Sequence, residues 1–119
     1  MNVDYSVVQN TVPSAPLEVA LFDATGMEVD TSIAQRIEFR MCLPHATNAA
    51  LVGAAFSVTY TGTDNATHHK TRYVWGATDL QIEAGVYDSV VEVFWQNGTR
   101  DTFPTTPLRI LVVPIVPAG

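Results

Sequence analysis

The adjacent histidines His68 and His69 are the first candidates for chemistry in this chain, because imidazole is a common ligand of zinc and copper. Asp64 lies in the same stretch, DNATHHK, and could add a carboxylate. Adjacent side chains usually project divergently, whereas metal ligands are spaced so that they converge on one ion. His45, the third histidine, is distant in the sequence. We therefore interpret this stretch as a solvated loop and expect neither a metal nor another cofactor.

The sequence contains no recognisable set of residues for nucleophilic or acid–base catalysis. Cys42 is the only cysteine, which excludes a disulfide within the chain. Its outward position in a predicted strand lacks the positive surroundings that activate a thiol, and no G-x-S-x-G segment occurs. Asp79 and Glu83 could meet as a carboxylate pair, but an acidic β-protein offers many such pairs. We expect no catalytic residue and no enzymatic activity.

The stretch VVEVFWQNGTRDTFP holds the remaining candidate, a pair of large side chains beside a turn. Asn97-Gly98 favours a two-residue type I′ turn, since both residues tolerate positive φ. That turn would place Trp95 directly across from Arg100. The two side chains would then form either a cross-strand contact that stabilises the sheet or a surface that binds a sugar or a partner protein. Such contacts are ordinary in sheets, so the sequence favours the first interpretation.

Charge and composition narrow the class of protein. The chain has 119 residues, of which 47% are hydrophobic and 15% charged, so it can form one domain with a core. Its formal net charge is -6 and its 6 basic residues are scattered, which argues against binding to nucleic acids or anionic membranes. The N terminus lacks the pattern of a signal peptide, and no apolar run approaches the roughly 20 residues of a membrane helix. We expect a protein made in a cytoplasm.

In the segments that would position these side chains, apolar and polar residues alternate with period two. This alternation predicts β-strands and an all-β class. In IEFRMCL, Ile37, Phe39 and Met41 share one face, and in AAFSVTY the alternation places Phe56 and Tyr60 inward. Further predicted strands are LEVALF, KTRYVW, LQI, VYDSVVEVFW and LRILVVPIV, and TGTDNATHH is predicted to be a polar loop. About seven strands at this spacing favour an immunoglobulin-like antiparallel β-sandwich.

The first part of the chain differs in character from the rest. Residues 1–16 end in Pro13 and Pro16 and are interpreted as an extended N-terminal arm, whereas residues 17–119 form the sandwich domain. The arm either reaches a neighbouring molecule or packs along the domain as its first strand, and both alternatives remain open.

A glycine two residues before a tyrosine that opens a long strand, in LQIEAGVYDSV, is typical of the tyrosine corner of immunoglobulin-like sandwiches. We expect the Tyr87 hydroxyl to donate a hydrogen bond to the backbone. Asn97 and Gly98 are expected to set the hairpin register, and Phe103 and Pro104 to lead the chain into its last strand. All five residues are assigned structural roles.

A series of short segments follows a fixed order in the second half of the chain: Trp75, Gly85-Val86-Tyr87, an Asn-Gly turn, Thr102-Phe103-Pro104 and LRILVV. This order resembles the N-terminal immunoglobulin-like domain of tailed-phage baseplate upper proteins, over about residues 17 to 113. The resemblance implies a non-enzymatic virion module that docks one phage component onto another. Members of that family continue into a helical or receptor-binding part, whereas this chain stops at Gly119, so we expect a head decoration or cement protein, or a neck or tail adaptor.

The resemblance and the apolar chain ends together suggest the partners. We expect a protein located in the virion and made in the host bacterial cytoplasm, which binds capsid, neck or tail subunits or further copies of itself, but neither nucleic acid nor a membrane. The residues expected to bind partners are Val3, Tyr5, Val7, Val8, Trp95, Arg100, Ile115 and Val116. The alternative is a carbohydrate-binding module that attaches to host surface glycans through Trp95, Tyr73 or Trp75 as stacking platforms.

Overall fold

Seven β-strands and one 3-10 turn make up the computed structural model, which describes residues 3–115, with the backbone alone for residues 105–107. Within these residues, no helix is long and apolar enough to cross a membrane. The elements are β1 (Tyr5–Val8), β2 (Leu17–Val19), η1 (Thr31–Ile33), β3 (Ala34–Cys42), β4 (Leu51–Thr61), β5 (Thr67–Tyr73), β6 (Gly85–Trp95) and β7 (Arg100–Val113).

The strands form two sheets that share the long strand β4. Neighbouring strands follow the order β1-β7-β6-β3-β4-β5-β2. Residues 51–55 of β4 pair with β3 and residues 56–61 pair with β5, so β4 passes from one sheet to the other. All these pairings are antiparallel except that of β1 with β7, which is parallel. The predicted all-β, sandwich-like class is confirmed, and its strand pairing is mixed rather than purely antiparallel.

The core lies between the two sheets, and β3 contributes its centre. Ile37, Phe39 and Met41 are buried, as the alternation predicted. The Phe39 ring lies 4.7 Å from the ring of Tyr73 and 5.9 Å from that of Trp75, measured between centroids. These contacts join β3 of one sheet to the end of β5 in the other, and they take both partner rings away from the surface.

The predicted inward face of β4 is wrong. Phe56 and Tyr60 are 47% and 37% exposed, whereas Leu51 is buried and Ala55 packs against the core. The reason is the pairing of Ala55 with Ile37. Side chains directly opposite each other in a sheet project from the same face, so the buried Ile37 places Ala55 and the residues that alternate with it on the inner face.

The N-terminal segment is the first strand of the sandwich. β1 pairs in parallel with β7, with Tyr5 beside Ile110 and Val8 beside Val113. Val7 belongs to the buried core. Of the two alternatives for the N-terminal arm, the structure therefore shows the second, in which the arm packs along its own domain as a strand.

Two other segments differ from the prediction. Residues 80–82, LQI, form an irregular turn rather than a strand, although Leu80 is buried. The predicted polar loop is shorter than expected, because β4 continues to Thr61 and β5 begins at Thr67. His68 and His69 consequently lie in a strand, where successive side chains point to opposite faces of the sheet.

The β6–β7 hairpin has a three-residue loop instead of the predicted two-residue turn. Gly98 N donates a hydrogen bond of 3.1 Å to Trp95 O. Gly98 has a φ of 88°, while Asn97 does not share its positive φ. A turn followed by one left-handed residue is the usual form of a three-residue hairpin loop. Arg100 therefore pairs with Phe94, one position away from the predicted partner Trp95.

Beyond the hairpin, β7 continues as one strand, and its register with β6 changes along the way. Ser89 pairs with Leu108, but Val91 pairs with Phe103, so several residues of β7 are left out of the ladder between these points. The Phe103-Pro104 peptide bond is cis. Phe103 and Pro104 thus lie where the register changes, and the chain runs from them into the second half of β7.

Candidate functional site

The connection between β2 and β3, residues 20–33, lies between two hairpins at one end of the sandwich. On one side, the Glu28 carboxylate accepts a hydrogen bond of 3.1 Å from the backbone N–H of His69 in β5. On the other side, η1 and the β6–β7 loop line a common cleft. We call the region formed by residues 20–33, 62–66 and 96–98 the loop end. Loops held together by a rigid sandwich are a frequent place for binding sites.

A turn built around one carboxylate holds the outer part of this connection. Asp23 Oδ1 accepts hydrogen bonds from Thr25 N at 2.9 Å, from Thr25 Oγ1 at 2.6 Å and from Met27 N at 3.1 Å. The bond with the Thr25 hydroxyl is the main cause that lowers the pKa of Asp23. The turn holds two large apolar side chains in water, since Phe22 is 55% and Met27 67% exposed.

A second carboxylate positions the inner part of the connection. Asp30 is the N-cap of η1, and its Oδ1 accepts hydrogen bonds from Ser32 N at 2.9 Å and from Ser32 Oγ at 2.5 Å. The bond with the Ser32 hydroxyl lowers the pKa of Asp30, which keeps the cap charged. Thr31 is buried and shares a hydrogen bond of 2.7 Å with Ser57 of β4. Ile33, at the end of the turn, is left 61% exposed.

Ile33 and Trp95 line an open cleft of about 580 Å³ at the loop end. Three polar residues complete its lining: Ser32, Gln96 and Asn97. The Trp95 indole is held by a hydrogen bond of 2.8 Å from its Nε1 to Asp101 Oδ2, and it packs partly against the core. The cleft therefore combines a fixed aromatic side chain with an exposed aliphatic one.

The predicted contact of Trp95 with Arg100 is wrong, because the three-residue loop shifts the register by one position. Arg100 lies opposite Phe94. A different cation covers the Phe94 ring, since the guanidinium carbon of Arg36 is 3.9 Å from the ring centroid. A cation–π contact is thus found at Phe94, the residue of β6 that precedes Trp95.

The histidines connect the β4–β5 turn with the 20–33 connection. His68 Nε2 lies 2.8 Å from Asp64 Oδ2, and His68 Nδ1 lies 3.3 Å from Glu28 Oε1. The hydrogen bond with Asp64 is the main cause that raises the pKa of His68. His69 instead lies 3.4 Å from Asp30 Oδ1. In the described part of the chain, no three histidine, cysteine or carboxylate side chains are placed to hold one metal ion.

Asp79 and Glu83, the residues considered as a carboxylate pair, both accept structural hydrogen bonds. Asp79 Oδ2 accepts hydrogen bonds from the Tyr73 hydroxyl at 2.5 Å and from Gly76 N at 2.6 Å. Burial raises the pKa of Tyr73, so the phenol stays protonated and donates. The backbone carbonyl of Glu83 accepts a hydrogen bond from the Tyr87 hydroxyl, which is the bond to the backbone expected of a tyrosine corner.

The other residues predicted to bind partners are divided between surface and core. Three are exposed by 38%, 41% and 47%, respectively: Val3, Val8 and Ile115. Val7 is buried and Tyr5 stacks against Trp75, so these two side chains pack β1 onto its own domain. Val116 lies outside the described residues.

Two of the three aromatic residues considered as sugar platforms belong to the core. Tyr73 and Trp75 are 6% and 3% exposed, because Phe39 packs against both rings. Their assignment to a binding surface is therefore wrong. The large aromatic side chains exposed in the described chain are Phe22, Phe56 and Tyr60.

The sequence reasoning missed Phe22, Met27 and Ile33 as candidates for binding. A signal was present in each case, because an apolar residue stands beside a turn that begins with aspartate, at Asp23 and at Asp30. Aspartate is a preferred cap and turn residue. Turns lie at the surface, so an apolar side chain beside such a turn is a candidate for exposure and for binding.

Comparisons of the chain with protein-family models, with curated proteins and with solved structures gave no match.

Proposed function

We propose that this chain is a non-enzymatic structural protein of a bacteriophage virion, whose loop end binds a neighbouring protein subunit. Within the virion, the chain would serve either as a head decoration or cement protein or as a neck or tail adaptor. The ordered segments around Tyr87 and the Asn97-Gly98 turn support the virion assignment through their resemblance to the baseplate proteins. The geometry of the loop end supports a protein as its partner.

The observation that carries the proposal is the display of apolar side chains by hydrogen-bonded turns. Phe22, Met27 and Ile33 are each more than half exposed, on turns shaped by Asp23 and Asp30. Covering such side chains with another surface is favourable in proportion to the apolar area removed from water. Turns that are already ordered also lose little conformational entropy on binding.

The strand faces offer less to a partner, because their charged side chains already have partners within the sheets. Glu38 contacts Arg36 and Arg40, both at 2.9 Å. On the other sheet, Glu18 contacts Lys70 at 2.9 Å and also pairs with Arg72. A neighbouring protein would have to compete with these ion pairs, whereas the apolar side chains of the loop end present no such competition.

Incorporation into particles tests the proposal. Phage particles are assembled in cells that supply either the natural chain or the Met27→Asp/Ile33→Asp double variant, purified, and probed for the chain by quantitative immunoblotting. We expect the natural chain in the particles and a loss of at least about tenfold for the double variant, because two carboxylates buried without partners weaken an apolar contact by more than 1.4 kcal/mol, roughly.

Val52→Asp is the matched control. Val52 is 50% exposed and pairs with Arg40, in the half of β4 that lies away from the loop end. Val52→Asp should be incorporated into particles like the natural chain. Val52→Asp and the double variant should both have the melting temperature of the natural chain. Normal incorporation of the double variant would exclude the loop end as the docking surface, and absence of the natural chain from purified particles would exclude a virion protein.

A further inference from the structure

We propose that the chain forms a two-fold dimer through a free edge of β4, in which residues 56–60 of two copies pair antiparallel about Val58. The contact adjoins the loop end but uses other residues, and the proposal does not depend on the virion assignment. It rests on the strand pairing of β4, on its composition and on the internal symmetry of its second half.

The second half of β4 has a neighbouring strand on one side. Residues 56–61 pair with β5, whereas the pairing with β3 ends at Ala55. Within residues 3–115, no backbone hydrogen bond outside the strand ladders reaches residues 56–61. Backbone groups of a strand point alternately to its two sides, so the other side of this segment is an edge with unpaired donors and acceptors. Such an edge is a template for a further strand.

This edge lacks the features that usually prevent association. β4 contains neither a charged residue nor a proline over its 11 residues. Its second half, FSVTYT, is rich in aromatic and β-branched residues, which favour β-pairing. The opposite edge of the same sheet, β2, has 3 residues and carries Glu18, which pairs with Lys70. Short edge strands with charged side chains resist pairing, so among the strands within residues 3–115 the edge of β4 is the one left unprotected in this sheet.

The symmetry of the segment indicates that its partner is a second copy of the same chain. Residues 56–60, FSVTY, have the same chemical order in both directions: aromatic, hydroxyl, valine, hydroxyl, aromatic. In an antiparallel pair centred on Val58, Phe56 would lie opposite Tyr60 of the other copy, and Val58 opposite itself. Similar side chains would meet at every position and no two charges would meet. A two-fold dimer requires a self-complementary contact of this kind.

The exposed side chains of the segment are placed for such a contact. Phe56 and Tyr60 project from the outer face, and pairing would bring each beside an aromatic ring of the other copy, which adds to the stability of a strand pair. η1 contacts the segment from the inner side, where Thr31 bonds to Ser57. Next to Phe56, where β3 and β4 separate, a cleft of about 210 Å³ lies between the segment, η1 and the start of β3.

Sedimentation equilibrium over a range of protein concentrations tests the dimer. We expect an average mass that rises with concentration from the monomer value of 12.9 kDa towards twice that value. Val58→Lys would set two like charges against each other at the two-fold axis and should raise the dissociation constant by at least about tenfold. Val52→Lys, the same kind of change in the half of β4 outside the contact, should leave the constant unchanged. A monomer at every concentration, or a dimer that Val58→Lys does not weaken, would overturn the proposal.

Disulfide trapping tests the register and does not require the fold to accept a lysine. Val58→Cys is introduced together with Cys42→Ala, which removes the natural thiol. Opposite residues of an antiparallel pair have Cα atoms about 4.5 or 5.5 Å apart, and both distances suit a disulfide. Mild oxidation should therefore link two copies through residue 58, while Val52→Cys in the same background should stay unlinked. A chain that sediments as a dimer but is not linked through residue 58 would show that another surface forms the dimer.

Discussion

The Tyr87 hydroxyl donates a hydrogen bond of 2.5 Å to the backbone carbonyl of Glu83. Tyr87 lies near the start of β6 and is 1% exposed, so its ring belongs to the core while its hydroxyl closes the turn before the strand. Burial is the main cause that raises the pKa of this phenol, which keeps it a donor. The bond therefore ties the connection between β5 and β6, residues 74–84, to the hydrophobic core.

Replacing Tyr87 by phenylalanine should lower the free energy of unfolding by about 1 kcal/mol, because one hydrogen bond is lost while the ring stays in place. Urea denaturation measures the change. Tyr60→Phe is the matched control, since the same hydroxyl is removed from a side chain that is 37% exposed. Equal effects of the two substitutions would contradict a special role for the corner.

The three-residue loop makes Gly98 the sensitive position of the β6–β7 hairpin. Its φ of 88° is in the left-handed region, so Gly98→Ala should cost about 1 kcal/mol of stability. Asn97 should tolerate aspartate, because either side chain can accept the hydrogen bonds that Thr99 donates from its N–H and hydroxyl at 3.1 and 2.6 Å. Thermal unfolding of both variants decides, and an unchanged melting temperature for Gly98→Ala would refute this loop geometry.

Gly53 is required by the close approach of the Tyr73 ring. A Cβ at position 53 would lie 2.4 Å from the Tyr73 hydroxyl oxygen and 2.5 Å from its Cε1. Tyr73 is fixed by its hydrogen bond to Asp79 and by the Phe39 ring, so it cannot move aside without losing these contacts. We expect Gly53→Ala to destabilise the fold by about 2 kcal/mol.

Ala54→Val provides the comparison for Gly53→Ala, because it adds more volume at the next residue of β4, which is exposed. That substitution should change the free energy of unfolding little. If chemical denaturation gave similar losses for both variants, crowding against Tyr73 would not be the cause.

The contacts of His68 with Asp64 and Glu28 predict a pH dependence of stability. The pKa of His68 is raised above 6.5 in the folded chain, so folding favours the protonated form. This contribution is fully present below about pH 6 and is lost as the pH rises through the folded pKa. The lowered pKa of Asp64 acts in the opposite sense, since its contribution is present above about pH 4 and is lost in acid.

We therefore expect the natural chain to exceed His68→Gln in stability most between about pH 4.5 and 6, with the difference falling towards pH 8.5. Urea denaturation of both proteins at a series of pH values measures it. His45→Gln, at an exposed histidine in the loop after β3, is the control for replacing an imidazole by an amide at the surface. A difference that grows with rising pH would contradict the arrangement.

The fold class was predictable because its signals are local. The alternation of Ile37, Phe39 and Met41 identifies a half-buried strand without knowledge of its neighbours. The glycine before Tyr87 likewise predicts a corner whose hydrogen bond spans four residues. Neither inference needs to know which strand lies beside which.

The predictions were wrong where the position of a side chain depends on a residue that is distant in the sequence. The inner face of β4 is set by Ile37, which pairs with Ala55 from a different strand. The hairpin loop was expected from Asn97-Gly98 alone, but the full register of β6 against β7 determines that Arg100 faces Phe94. A shift of one residue in a sheet reverses the face on which each side chain lies, so a small error in a turn moved the predicted contact to the wrong residue.

By itself, the sequence determined an all-β class, the absence of a disulfide within the chain, most strand positions and the tyrosine corner, because composition and period-two alternation are properties of the chain alone. Only the tertiary structure decided that residues 1–16 include a strand of their own sheet, that Phe56 and Tyr60 face water, and that the 20–33 connection meets both hairpins. These features depend on which strands pair and which faces are buried, and such contacts join residues far apart in the chain.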